Sequence, residues 1–244
     1  MTSGDHTDEV LTLVADEPAE VDDMPALVGR LQRLCRAAQR DLPASGVGVS
    51  MVSEAGGLLT AAASSPDSAR VEELQFTMGE GPCLSAFASR RPVLVPDLSQ
   101  AATTTWPGYG PAAHDHGVRA VFAFPLQIGA ARIGALDVYR NEPGALSSWA
   151  LSRALTYADV AMQTVLEEQE AVAGDGDPLW TDGDHTQFEV YQAQGMVMIQ
   201  LGVDATEALS RIRAYAYAND LRLDQVAEDI IGRRLSLEPD HPPH

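Results

Sequence analysis

The stretch from Phe188 to Leu237 constrains this chain more than any other, because its helix stops and starts are written at fixed intervals. A first helix is expected over Thr186–Leu201, ended by Gly202, the residue type that tolerates a left-handed terminus. Asp204, with Glu207 three residues on, has capping-box spacing and opens a second. Ala205, Ala208, Leu209, Ile212, Tyr215 and Ala216 recur along it at helical intervals, so one face is buried. It stops at Asn219-Asp220, and a third begins near Asp224 with Val226, Ala227, Ile230, Ile231 and Leu235. Helices this short are marginal alone in water, so the three are expected to pack on one another.

Ahead of this unit the pattern changes. A helix is expected after Asp22-Asp23, with Pro25 in its first turn, burying Leu27, Leu31, Leu34 and Cys35 and turning Arg30, Arg33, Arg36 and Arg40 to solvent. Strand-like runs follow at Val47–Ser53 and Leu58–Ser64, joined by Gly56-Gly57. Asp67 is expected to cap a helix ending near Phe76, and Gly79-Glu80-Gly81-Pro82-Cys83 to turn the chain into another. After a strand at Val93–Val95, residues 101–117 read as a loop containing Trp106, Tyr109, His114 and His116. Ala120–Leu126 and Ile133–Tyr139 read as paired central strands about Gly129-Ala130-Ala131, and a long helix runs from Ser147 to about Gln169.

Charge narrows the function. The net charge is −19, and lysine is absent: all 16 basic residues are Arg. Residues 1–24 carry −8 and residues 167–187 carry −7, whereas 25–166 is neutral and 188–244 carries −4. The acid excess therefore lies mostly in two polar segments, read as a mobile tail and a linker. A weakly acidic helical unit cannot hold nucleic acid by diffuse backbone attraction, so recognition there must use few contacts.

Ala193-Gln194-Gly195 with Met198, Ala208-Leu209, Arg213-Ala214-Tyr215-Ala216 and Val226-Ala227 resemble the ANTAR domain, a three-helix RNA-binding module that regulates transcription termination. That family usually has Lys where this chain has Gln194, which removes a phosphate-facing cation. The Gly-Glu-Gly-Pro-Cys turn, the Val93–Leu98 strand with its Pro-Asp, the Trp106-Pro107 loop and the final hairpin follow the pattern of a GAF domain. Together they resemble the GAF–ANTAR regulators of actinobacteria.

The resemblance implies an α+β fold, with a GAF-like antiparallel sheet flanked by helices and an all-α three-helix domain behind it. The expected division is an acidic disordered tail at 1–22, a GAF-like sensory domain at 23–170, a linker at 171–185, the ANTAR domain at 186–237 and a tail at 238–244. The implied function is signal-responsive transcription antitermination through hairpin loops of nascent RNA. The alternative is a ligand- or redox-sensing protein that acts through protein contacts.

On the helical unit the expected RNA-facing residues are Gln194, Gly195, Met198, Arg211, Arg213 and Tyr217. Arg supplies a planar fork suited to phosphates and base edges, and an outward Tyr can stack on an unpaired base. Tyr215 falls in the apolar stripe and is expected in the core. The GAF resemblance suggests a pocket for an unknown small-molecule or redox signal at Cys83, Trp106, Tyr109 and Phe122. A thiol at a helix N-terminus can be reactive; a small buried hydrophobe is the plainer reading of Cys83.

Leu151, Leu155, Ala158, Met162 and Val165 have coiled-coil spacing and are expected to form a homodimer seam. His114 and His116 lack the companions of a metal site, and no catalytic constellation can be read, so neither metal, cofactor nor enzymatic activity is expected. With no apolar run of membrane-spanning length and an acidic N-terminus, a cytoplasmic protein is expected.

Overall fold

The computed structural model describes residues 3–18, 25–52, 57–172, 185–219 and 221–237. The chain divides into two compact units, Met1–Ser53 with Leu58–Thr181 in the first and Asp182–His244 in the second. Gly56 of the expected Gly56-Gly57 turn, most of the expected linker and the expected C-terminal tail lie outside the described residues.

The first unit is built on a five-stranded antiparallel sheet in the order β2-β1-β5-β4-β3. Its strands are β1 (Gly46–Val52), β2 (Leu58–Ala63), β3 (Val93–Val95), β4 (Ala120–Ile128) and β5 (Ala131–Arg140). Side chains alternate across a strand, so each face has its own partners. Val47, Val49, Phe122, Phe124, Leu136 and Val138 share one core with α2 (Ala26–Asp41) and α7 (Ser148–Val172). The opposite face carries α3 (Pro66–Met78), α4 (Pro82–Ser89), α5 (Leu98–Thr105) and α6 (Tyr109–Asp115). There Val71, Leu98, Trp106, Tyr109, Val121 and Tyr139 pack together.

Three expectations are corrected. Part of the acidic N-terminus is a helix, α1 (Ser3–Ala15), packed on α2 and α7 through the fully buried Val10. Glu17 is 4% exposed and pairs with Arg36 and Arg40, while Arg153 pairs with Glu9 and Asp41. The Arg face of α2 is thus partly covered, Arg30 also meeting Glu167 of α7. Secondly, the loop expected at 101–117 contains α6 and the end of α5, whose partners are supplied by tertiary contacts. Thirdly, the expected dimer seam is mostly internal: Ala158, Met162 and Val165 are buried in this chain's own core, and only Leu155 is substantially exposed. Sheet, α1 and α2 surround α7, so its heptad spacing serves packing within the unit.

The second unit is three helices, α8 (His185–Leu201), α9 (Ala205–Ala218) and α10 (Leu223–Ile231). Gly202 ends α8 at φ 69°, donating its N–H to Met198 O. Asp204 caps α9 by accepting from Glu207 N at 2.8 Å. Val190, Ala193, Val197, Leu209, Ile212, Val226 and Ile230 fill the space between the helices.

Candidate functional site

Two places hold chemistry that packing alone does not explain. In the first unit, α3 turns a polar stripe inward: Ser68, Glu72 and Gln75 are all buried on the sheet. Strand β1 makes room with Gly46 and Gly48, since an added Cβ there would overlap Ser68 and the Glu72 carboxyl. Ser50 Oγ and Tyr139 Oη each donate to Glu72, both at 2.6 Å. Gln75 Nε2 donates to Asp137 Oδ2 at 2.6 Å, and Gln75 Oε1 accepts from Cys83 N at 2.8 Å. Two carboxyl groups are therefore held together with no exposed surface on either residue.

Burial disfavours charge, so it pushes the Glu72 carboxyl up to about 7, against the pull of its hydrogen bonds from Ser50, Tyr139 and Gln75. Asp137 is raised well above the carboxylate range by burial and then by Glu72. Neighbouring carboxyls of this kind share protons as a pair. Asp137 Oδ1 and Tyr109 Oη are buried without a partner of hydrogen-bonding geometry, although Tyr139 lies beside both.

The Gly-Glu-Gly-Pro-Cys turn builds this cluster. Gly81, at φ 145°, lies against Gln75 where a Cβ would not fit. Glu80 Oε1 accepts from Gly108 N at 2.6 Å and Tyr109 N at 2.9 Å, fixing the start of α6. Trp106 packs edge-on against Tyr109, with ring centroids 6.1 Å apart, and donates to Ser85 Oγ. Cys83, Trp106 and Tyr109 thus gather on one side of the sheet. Phe122 does not: it points into the α2–α7 core, the opposite parity from Val121. Cys83 is a fully buried thiol whose pKa burial drives well above its ordinary value, which opposes thiolate reactivity.

Sequence reasoning missed Glu72, Gln75, Asp137 and Tyr139. A signal was present, because Asp137 interrupts an otherwise apolar central strand, where a buried acid demands partners.

In the second unit the six expected RNA-facing residues separate. Tyr217 is 87% exposed. Met198 and Gly195 are half-buried, and a Cβ on Gly195 would meet nothing within 4 Å, so helix packing does not require glycine there. Gln194 is corrected to an inward role: it is buried and donates to Ala205 O at 2.6 Å, tying α8 to the first turn of α9. Arg211 is committed to Glu207 one turn away. Arg213 is mostly enclosed, and burial pulls its guanidinium down to about 10. Among the described residues, groups of His, Cys, Asp and Glu able to hold a metal are absent, and no helix is long and apolar enough to cross a membrane.

The GAF domain model matches residues 29–164, more than half of the chain, and the ANTAR domain model matches 185–231. The chain belongs to the GAF domain family and carries an ANTAR domain behind the sensory fold. Both are regulatory rather than catalytic families, so the architecture is that of a regulator.

The first unit's fold recurs in the GAF domain of a phosphoenolpyruvate-protein phosphotransferase from Coxiella burnetii, at 16% identity and TM-score 0.54, over 70% of this chain and 96% of that one. It recurs also in the GAF domain of the corresponding Acinetobacter protein, at 13% identity and TM-score 0.51, over 71% of this chain and 99% of that one. No curated protein matches the chain.

Proposed function

We propose that this chain is a signal-responsive transcription antitermination regulator, whose helical unit binds hairpin loops of nascent RNA under control of the sensory unit. The observation that carries the reading is the coincidence of the ANTAR match with α8, α9 and α10, behind a complete GAF sheet. Tyr217 supports it, since a tyrosine this exposed on a short helix is available for stacking on an unpaired base. The signal is a small molecule received on the Cys83–Tyr109 side of the sheet. A thiol-based signal is disfavoured by the burial of both cysteines. The protein acts in the cytoplasm, as a homodimer whose contacts lie elsewhere than the buried part of α7.

The test is selection of RNA by the full-length protein from a library of tandem hairpins with randomised loops. Selected RNA should shift in electrophoresis, and a duplex DNA of equal length should not. Tyr217→Ala should weaken binding about tenfold, within the roughly 1–3 kcal/mol that a stacked base contributes. Arg213→Ala is a poor probe, because its effect would be on folding. A protein that enriches no RNA would remove the proposal.

A further inference from the structure

The C-terminal end of α10 is built in an unusual way. The chain leaves the helix through a Schellman motif, Arg233 N bonding Ile230 O at 3.0 Å and Arg234 N bonding Asp229 O at 2.7 Å. The left-handed residue of such a motif is ordinarily glycine. Here Gly232 stays helical at φ −71°, and Arg233 takes the left-handed position at φ 55°. A Cβ at Gly232 would run to within 2.5 Å of Arg234 Nη1, so a larger residue there would displace the Arg234 side chain. Arg234 is folded back onto Asp229, and Arg233 is exposed.

Arg233 is distinct among the unit's guanidinium groups. Arg211, Arg222 and Arg234 are paired with Glu207, Asp224 and Asp229, and Arg213 is mostly enclosed. Arg233 is exposed and has no carboxylate partner among the described residues.

It also borders a groove of about 400 Å³ between α8 and the segment after α10. The walls are Met196, Ile199, Ile230 and Leu235, and Ile199 is 88% exposed. Gln200 and Ser236 supply polarity: Gln200 Nε2 donates to Ser236 Oγ and to Leu237 O, both at 2.6 Å. That leaves Gln200 Oε1 as an acceptor and the Ser236 hydroxyl as a donor.

Resting on the RNA-binding reading above, we infer that this groove seats one unpaired loop base, with Arg233 on its flanking phosphate. The fit is chemical. A flat base needs apolar walls for its faces and a donor–acceptor pair for its edge, as bases extruded from helices do in protein pockets. The volume falls within the roughly 300–1,000 Å³ of small-ligand sites. In a unit of net negative charge, a guanidinium beside the groove with no carboxylate partner among the described residues is where a phosphate is drawn.

The experiment uses the full-length protein and the RNA it selects from the randomised-loop library. Arg233→Ala should weaken binding tenfold or more and make its salt dependence shallower by about one unit of slope, whereas Arg222→Ala should do neither. Abasic substitution along the loop should reveal one position where base removal weakens wild-type binding. Ile199→Ser, at a side chain already in solvent, should make binding indifferent to that same removal. Equal affinities for wild type, Arg233→Ala and Ile199→Ser would overturn the inference while leaving RNA binding by the unit intact. A photocrosslinker at position 199 that captures a second protein copy rather than the RNA would overturn it too. Selection of no RNA at all would overturn the reading of the unit, and the groove with it.

Discussion

The first unit hides acids and the second displays apolar groups. Glu72 and Asp137 have no exposed surface, whereas Ile199 and Tyr217 are 88% and 87% exposed. Both arrangements cost stability. A buried carboxyl must be neutralised or hydrogen-bonded, and an exposed isoleucine forgoes the roughly 1.5–3 kcal/mol that full burial contributes. The costs are of different kinds. An internal cluster responds to anything that changes its protonation or packing, which suits reception of a signal. An exposed surface is complete only when a partner covers it, which suits recognition.

The contrast can be broken most directly at Gln75. Its amide bonds Asp137 and lies 3.4 Å from Glu72, while its carbonyl holds the N-terminus of α4. Gln75→Ala should destabilise the first unit by about 2–4 kcal/mol, through lost buried hydrogen bonds and a cavity, as read from the denaturant midpoint.

The pH dependence should be nearly as large. Glu72 is raised in the folded chain from 4.5 to about 7, so its contribution is complete below its unfolded value and is lost as pH rises through about 7. Stability of the first unit should therefore fall by on the order of 3 kcal/mol across that window. Asp137 is raised in the same direction and adds to the decline. Glu72→Gln should flatten the slope; an unchanged slope would place the titrating group elsewhere.

A smaller effect of opposite sign is expected in the second unit. Arg233→Gly should relieve the left-handed backbone and raise that unit's thermal midpoint, by about 1 kcal/mol or less once glycine's added chain entropy is counted. Smallest should be Arg40→Gln, which removes an exposed partner of Glu17 while Arg36 remains. It should change stability by no more than about 0.5 kcal/mol and weaken the salt dependence of α1 docking.

Most of the secondary structure was readable locally, because its signals act between neighbours. Gly202 had to end α8 and Asp204 to start α9, and both do so. Strand alternation also held enough to place Phe122: in a chain where Val121 shares a face with Tyr139, Phe122 must lie on the other. Helix α3 was harder. Its cap is Ser65, which accepts from Ser68 N, with Pro66 in the first turn, rather than Asp67. Its inward stripe of Ser68, Glu72 and Gln75 looks like a solvent face until Gly46 and Gly48 are seen opposite it.

By itself, then, the amino-acid order determined most of the elements, though not α1 or α6, together with the two-part organisation and the family of each part, since caps, periodicities and turn residues work over a few positions. Only the tertiary structure decided which polar groups are enclosed, that Gln194 is buried and Arg213 mostly covered, and that Arg233, beside a groove, has no carboxylate partner among the described residues. Those outcomes depend on residues far apart in sequence competing for the same space and the same hydrogen bonds, and apart from Asp137 in its apolar strand that competition leaves little local signature.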